Sequence, residues 1–437
     1  MNLLHANDRH GVHAPSWYAA TCTLAEHAPL ERHVEADVCI VGGGFTGLSA
    51  AATLAARGHD VVLLEAHRLG WGASGRNGGQ IGSGFNAAQG DLEHRLGRTR
   101  AHALWDIAEE TKRDIHALAG RHGVDLEYRP GIVTAQHRVR SVADLHRYCE
   151  YLAREYGLDV ETLDREALRD LVASEDYHGG ALDRSAGHLH PLRLIDALAR
   201  EALAGGAHLH ERSEVVRLEG SSDIGEGRRP RLVTPSGSVR AERIVLAGNG
   251  YLDALAPREV ADRVMPINNF ILVTEPLGSR AAALLPGNHA VADSRFVVNY
   301  FRRTADERLL FGGGESYGYR FPRDMARRTR RAMLGVFPEL AGVRIDFSWG
   351  GTLAITRSRL PHVVRLSPRI VSAGGYSGHG VGLAVASGRA IGEALDGDVE
   401  RFDLLSSLPV GRFPGGPRAR PALLALAMSG AAWLDRL

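Results

Sequence analysis

Lysine is nearly missing from this chain: Lys112 is its one lysine, against 51 arginines, so any role that calls for a lysine falls on a single position. Cysteine is scarce too. Cys22, Cys39 and Cys149 form no CxxC pair and no metal-ligand spacing, and their odd number argues against a disulfide framework. That usage suits a reducing compartment, so a cytoplasmic location is expected. A formal charge of +1 with no basic tail removes the electrostatic argument for nucleic acid or an anionic membrane as partner. The arginine clusters "RRTADER" (302–308) and "RRTRRA" (327–332) lack the interleaved aromatics that stack on bases, and read as solvated helix faces. The N-terminus has no charged region ahead of an apolar stretch, so no export signal is expected. The apolar end "PALLALAMSGAAWLDRL" (421–437) is shorter than the roughly 20 residues that span a bilayer, and reads as a packing helix.

What is present is an ordinary globular composition, 44% apolar and 24% charged, over 437 residues. At about 150 residues per domain that length predicts two or three domains, and two is the working number. "ADVCIVGGGFTGLSAAATLAARGHDVVLLEA" reads as strand, glycine turn, Ala/Leu-rich helix and second strand, the beginning of a doubly wound sheet. Around 92–179 the chain turns helical and stops alternating, as an inserted unit would. "HPLRLIDALAREALAGG", with Pro191 at a helix N1 position, and "RIVLAGNGYLDALA" resume the first unit. Residues 260–348 carry β-rich runs that predict a large antiparallel sheet. "PRIVSAGGYSGHGVGLAVASGRAIGEAL" then repeats the strand, glycine turn and helix of the beginning.

The first glycine turn has chemistry in it. Gly42, Gly44 and Gly47 keep the GxGxxG spacing between a strand and a helix: the first permits the sharp turn, the second lets backbone approach a pyrophosphate, and the third lets the helix pack on the strand. N–H groups at that helix start suit a diphosphate. Glu65, 23 residues after Gly42, is placed to accept both hydroxyls of an adenosine ribose and to repel a 2′-phosphate. A dinucleotide site follows. The glycine-rich sequel "HRLGWGASGRNGGQIGSG" has no place in a simple NAD-binding unit and suits a longer cofactor, with Ser74, Arg76 and Asn77 side chains as donors.

These segments, with "GWGASGRNGGQ", "GHLHPL", "LLFGGG" and "GGYSGHGV", resemble the FAD-dependent glycine/D-amino-acid oxidase-like superfamily, most of all its γ-glutamylputrescine oxidase branch, from Ser16 to the C-terminus. The resemblance implies an α/β FAD-binding domain (Rossmann-like, glutathione-reductase type) of residues 33–90, 180–255 and 350–437. It also implies an α+β substrate domain of residues 91–179 and 256–349 on a large antiparallel sheet, and an N-terminal extension of residues 1–32. Carried over motif by motif, Gly42, Gly44, Phe45, Thr46, Glu65 and Ala66 would hold the ADP half of FAD. Ala73, Ser74, Arg76, Asn77, Gly78, Gly79 and Gln80 would run toward the flavin. Val215 would present backbone to adenine, and Ala247 and Gly248 would line the cofactor. Gly375, Gly378, His379, Gly380 and Val381 would approach the flavin pyrimidine, where a helix N-terminus stabilises the negative charge that reduction brings.

Such enzymes move hydride from the carbon beside a neutral amine to the flavin, and water hydrolyses the imine. The protein positions the carbon and excludes water, with O2 or another electron acceptor to follow. Departures from the family pattern locate the substrate class. Leu353 stands where amino-acid oxidases carry an Arg and sarcosine oxidases a flavin-linking Cys, and Gly382 where sarcosine oxidases carry a carboxylate-binding Lys. Both remove a cation that a carboxylate needs. An amine substrate is therefore expected over an amino acid, and the FAD is expected to be non-covalent. Tyr300 and His379 are the candidate catalytic residues, with core packing as the alternative for Tyr300 and a structural hydrogen bond within the turn as the alternative for His379. Trp349 reads as core, and His188 and His190 as a helix entry with no metal. Lys112, on a helix of the insertion, is expected to lie away from the flavin, leaving Arg, His or the flavin itself to assist a reaction with oxygen. Other readings open at this point are an amino acid oxidase or dehydrogenase, an NAD-linked dehydrogenase, and a non-catalytic or tRNA-modifying FAD protein.

Overall fold

The computed structural model describes residues 2–7, 10–220, 229–252, 255–316 and 319–415. The expected C-terminal packing helix at 421–437 lies outside them. Two sheets organise these residues. The first has the order His362–Ser367, Ile370–Gly374, Ser238–Leu246, His33–Val41, Val61–Leu64, His208–His210, with two short strands attached beside Ser238–Leu246. From Ile370–Gly374 to His208–His210 every neighbour is parallel. Parallel strands buried on both faces need continuous apolar runs, which "VCIV" and "VVLL" supply: each of those residues is buried.

The two glycine-turn segments meet. The helix Phe45–Ala55 follows the first turn and Gly380–Asp396 the second. Their small residues let the axes approach closely: a Cβ on Gly388 would lie 2.3 Å from the Thr46 carbonyl oxygen, and one on Gly392 would lie 2.7 Å from Thr53 Cβ. Ser49 Oγ donates to the Val385 carbonyl (2.7 Å), and Tyr376 shares a 2.6 Å hydrogen bond with Thr46 Oγ1. Gly388→Ala is accordingly expected to destabilise the protein by about 1–3 kcal/mol through overpacking, read as a lower urea midpoint with an unchanged m-value. An unchanged midpoint would show that the helices are free to separate.

The second sheet has the order Ile345–Ile355, Met265–Thr274, Leu309–Ser316, Tyr300–Arg303, Ala290–Asp293, Arg129–Ala135, Gly180–His188, Gln80–Ile81. It is antiparallel apart from one parallel pair, Ala290–Asp293 with Arg129–Ala135. The sheet reaches past the segments expected to build it: Gly180–His188, Gln80–Ile81 and the whole of Ile345–Ile355 belong to it, so the chain crosses between sheets several residues away from 180 and 350. The helix Arg98–Arg121, which falls in the expected insertion, places Leu104, Ala108, Ile115 and Leu118 in the same apolar core as Ile40, Phe45 and Val381. Residues 1–32 are likewise more than an extension. Trp17 and Tyr18 are fully buried, and Tyr18 Oη donates to the Asn77 carbonyl (2.7 Å).

Candidate functional site

Gly42 has φ +108°, a conformation natural to glycine, and a Cβ there would lie 2.9 Å from the Ala247 carbonyl oxygen. At Gly47 a Cβ would lie 1.9 Å from the Gly42 oxygen, so the helix can begin this close to the strand only without a side chain. Gly44 caps the helix with no side-chain bond of its own; Ser74 Oγ, from the glycine-rich sequel, accepts from the Phe45 N–H instead (3.0 Å). Glu65 is buried at the end of Val61–Leu64. One carboxylate oxygen accepts from the Gly43 N–H (2.7 Å) and the other from the His67 N–H (2.9 Å). Burial pushes its carboxyl up to about 7, against those two N–H groups, and nearby Glu211 pushes it further in the same direction. A glycine cradle that a Cβ would fill, beside a buried carboxylate, fits the phosphates and ribose of a dinucleotide. Ala66 continues this loop, and Val215 is buried on the loop that follows His208–His210, where the neighbouring Ser213 N–H donates to the Glu65 carbonyl (2.8 Å).

The sequel folds differently from the side-chain picture drawn for it. Arg76 is buried, with Nε donating to the Trp71 carbonyl (2.6 Å), Nη1 to the Gly350 carbonyl (3.0 Å) and the guanidinium lying over the Trp71 ring. The Asn77 amide donates to the Ala73 and Ser74 carbonyls, and its oxygen accepts from the Gly79 N–H. Gln80 donates to the Val291 carbonyl. Arg76, Asn77 and Gln80 thus hold the loop in shape.

At the second turn Gly375 (φ +73°), Ser377 (φ +55°) and Gly378 (φ +86°) bend the chain, and His379 precedes the helix Gly380–Asp396. The turn is tied to the rest of the site: Asn249 Oδ1, next to Gly248, accepts from the Gly375 N–H (2.8 Å), and Asn86 Nδ2 donates to the Ser377 carbonyl (2.8 Å). Gly378 is exposed, and a Cβ there would touch nothing within 4 Å.

Tyr300 and His379 come to opposite ends of one short stretch. The Tyr300 ring packs on Gly78, where a Cβ would lie 2.8 Å from it, and its hydroxyl donates to Asn269 Oδ1 (2.6 Å). The His379 ring packs on Gly82, with 2.7 Å between a Cβ there and Cε1. Burial, opposed by a hydrogen bond to the Gly84 backbone and helped by the Lys112 charge, holds the half-buried His379 imidazole below its ordinary pKa, so it is neutral at pH 7. Trp349 is core, with its indole N–H donating to the Arg76 carbonyl (3.1 Å). On its strand Trp349, Gly351 and Leu353 alternate onto one face; Gly351 meets Arg76 Cβ there, and Leu353 packs against the apolar group of Met265, Ile267 and Ile355. Gly382 faces Ile81. His190 precedes the helix Pro191–Ala204 and His188 ends a strand. Among the described residues no His, Cys, Asp or Glu cluster suits a metal ion. Burial raises the thiols of Cys22 and Cys149 to about 11 and that of Cys39 beyond, so all three stay protonated.

Two residues correct the sequence reading. Arg302, assigned to a solvated helix face, is 2% exposed on a strand: Nε donates to the Gly78 carbonyl (2.9 Å), and Nη2 to Tyr18 Oη (3.3 Å) and the Leu189 carbonyl (3.4 Å). The period-2 spacing Tyr300/Arg302 puts both on one face, a signal that the run of charge obscured. Lys112, expected to lie apart on an inserted helix, is buried against the segment that follows Gln80–Ile81, Nζ donating to Ser83 Oγ (2.8 Å) and pairing with Glu109 (2.6 Å). Its helix packs on the first unit instead of standing out with the insertion.

The family model for DAO, FAD dependent oxidoreductase, matches residues 37–394. A probable oxidoreductase OrdL of Rhizobium meliloti is 41% identical over 96% of this chain and 97% of its own length. The gamma-glutamylputrescine oxidoreductase of Escherichia coli is 39% identical over 97% and 99%. Among solved structures, glycine oxidase from Geobacillus kaustophilus superposes with a TM-score of 0.68 at 23% identity, covering 83% of this chain and 95% of that one. No helix of the described residues is long and apolar enough to cross a membrane. With a dinucleotide cradle, a second glycine turn bonded to it, and a sheet laid over the segment between them, the chain belongs to the DAO family of FAD-dependent oxidoreductases.

Proposed function

We propose that this enzyme oxidises the C–N bond of an amine that carries no carboxylate on the reacting carbon, a γ-glutamylated or polyamine-like compound, and releases an aldehyde and an amine after water hydrolyses the imine. The observation that carries this reading is the loss of both carboxylate-gripping cations, at Leu353 and Gly382. The substrate named for the Escherichia coli relative points the same way. FAD, when bound, takes up the hydride. The chain's own work is to hold the substrate carbon in place and keep water out. The Tyr300 ring, fixed through its hydroxyl to Asn269, walls one end of the 78–82 stretch. His379, neutral at the other end, accepts a hydrogen bond from an uncharged amine without competing for its proton. O2 is the proposed acceptor.

Anaerobic mixing of the yellow protein with a panel of amines tests the reading. γ-Glutamylputrescine or a related amine is expected to bleach the flavin band, with sarcosine and D-alanine at least a hundredfold less effective, and admission of air to restore it. Bleaching by the amino acids alone refutes the substrate class. Colour that returns only with an added acceptor replaces oxygen.

A further inference from the structure

The first end of the proposed substrate is an amine; the other end of a γ-glutamyl amine is an α-amino acid head, with one carboxylate and one ammonium. This inference rests on the substrate class proposed above. The chain's single lysine stands with a glutamate one helical turn away, buried, at the wall of the 78–84 segment. Lys112 is 7% exposed. Its ammonium has three donors: Ser83 Oγ takes one and Glu109 Oε2 another. The other oxygen of Glu109 accepts from the Gly84 N–H (3.3 Å), so the Glu109 carboxylate is held by a lysine and a backbone amide together. Gly84 also bonds His379, and Asp183, its carboxyl raised by burial, bonds Ser83. Gly82, Gly84, Ala108, His379 and Gly382 line one small cavity, and Ala108 precedes Lys112 by one helical turn.

A buried Lys–Glu pair is a weak source of stability, because desolvation opposes the Coulomb gain. As a receptor it has a definite complement. We infer that Lys112 and Glu109 form the subsite for the amino acid head of the substrate, the substrate carboxylate taking the place of Glu109 on Lys112 and the Gly84 N–H while Glu109 turns to the substrate ammonium. The exchange keeps the charge balance of the buried cluster: one cation and one anion enter, each facing its opposite. It also explains how a site without a cation at Gly382 or Leu353 recognises a zwitterionic head, since its two charges are read by Lys112 and Glu109 and none is placed on the reacting carbon. The head enters by displacement, because the cavity beside Gly84 is too small to receive it unaided.

The test uses the holoprotein and two amines that differ only at the head, γ-glutamylputrescine and N-acetylputrescine. Apparent dissociation constants come from the concentration dependence of anaerobic flavin bleaching. Lys112→Met and Glu109→Gln are each expected to weaken γ-glutamylputrescine at least tenfold and N-acetylputrescine less than twofold, with limiting bleaching rates kept; Lys112→Arg should recover part of the loss. Equal losses for both amines would show a structural role and overturn the subsite, as would no loss for either. If neither amine bleaches the wild type, the proposed substrate class falls. The subsite is then read alone, by thermal shift with γ-glutamylethylamide: a shift in the wild type that Lys112→Met abolishes supports it, and equal shifts, or none, overturn it.

Discussion

Arg302→Met is expected to yield protein that retains little FAD and unfolds about 4 °C lower. The guanidinium is buried between Gly78, Leu189 and Tyr18, and its four hydrogen bonds all go to carbonyl or hydroxyl oxygens, the fourth to the Arg303 carbonyl. Methionine keeps the volume and removes every donor. Each buried carbonyl left without one costs about 1–3 kcal/mol, so the loss is on the order of 3–5 kcal/mol out of a typical 5–15. The Gly78 carbonyl lies in the stretch between the two glycine turns, so slack introduced there reaches the cofactor as well as the fold. Arg302→Lys keeps the charge with a single ammonium in place of a planar fork, and should recover part of the stability and less of the FAD. The FAD-to-protein absorbance ratio of purified variants, with thermal melts of each, checks both parts. Arg302→Met with full FAD content would show that Gly78 is held in place by its other neighbours.

The order of strands and glycine turns was legible because each rests on local chemistry. "VCIV" and "VVLL" are apolar runs that only a parallel, doubly covered sheet accommodates, and GxGxxG announces a strand-to-helix turn. What the sequence did not show is which distant segments share a sheet. Gly180–His188 looked like part of the first unit because a helix of that unit follows it, yet its hydrogen bonds go to Arg129–Ala135 and Gln80–Ile81. Nothing in nine residues of strand specifies its partner. The position of Lys112 was hidden for the same reason: the 98–121 helix reads as inserted by sequence order, whereas its apolar stripe is buried in the core of the first unit.

Around the glycine turns, backbone geometry was legible and side-chain contacts were less so. Gly42, Gly47 and Gly375 could be assigned because glycine at such positions has few reasons to be there. Arg76 and Asn77 carry donors that suit a phosphate or a ring equally well, and local carbonyls captured them first. Short polar side chains near a tight turn commonly bond their own backbone. Arg302 was concealed by its neighbours, since five of the seven residues in "RRTADER" are charged and the one that is most deeply buried cannot be told from the others by type.

Glu65→Gln is expected to weaken FAD binding about a hundredfold and, more tellingly, to remove its pH dependence. We propose that Glu65 accepts the ribose hydroxyls as a carboxylate while the Gly43 and His67 N–H groups hold it in place. Glutamine keeps one acceptor and turns an NH2 toward one of those N–H groups. Losing two hydrogen bonds to a charged acceptor, each worth about 1.5 kcal/mol, gives the hundredfold. The pH behaviour follows from burial. The carboxyl is raised to about 7 in the folded FAD-free protein from an ordinary 4.5, so the folded chain holds a proton between those values that the unfolded chain has released. The contribution of Glu65 to the stability of the FAD-free protein is therefore fully present below 4.5 and is lost as the pH rises through 7. FAD binding runs the other way, because it needs the carboxylate: from pH 8 to pH 6 the ionised fraction, and with it the affinity, should fall about tenfold. Fluorescence titration of the FAD-free protein at the two pH values, in wild type and Glu65→Gln, separates the outcomes. A flat affinity in the wild type would mean that the carboxylate is already ionised at pH 6 and that its two N–H donors outweigh its burial.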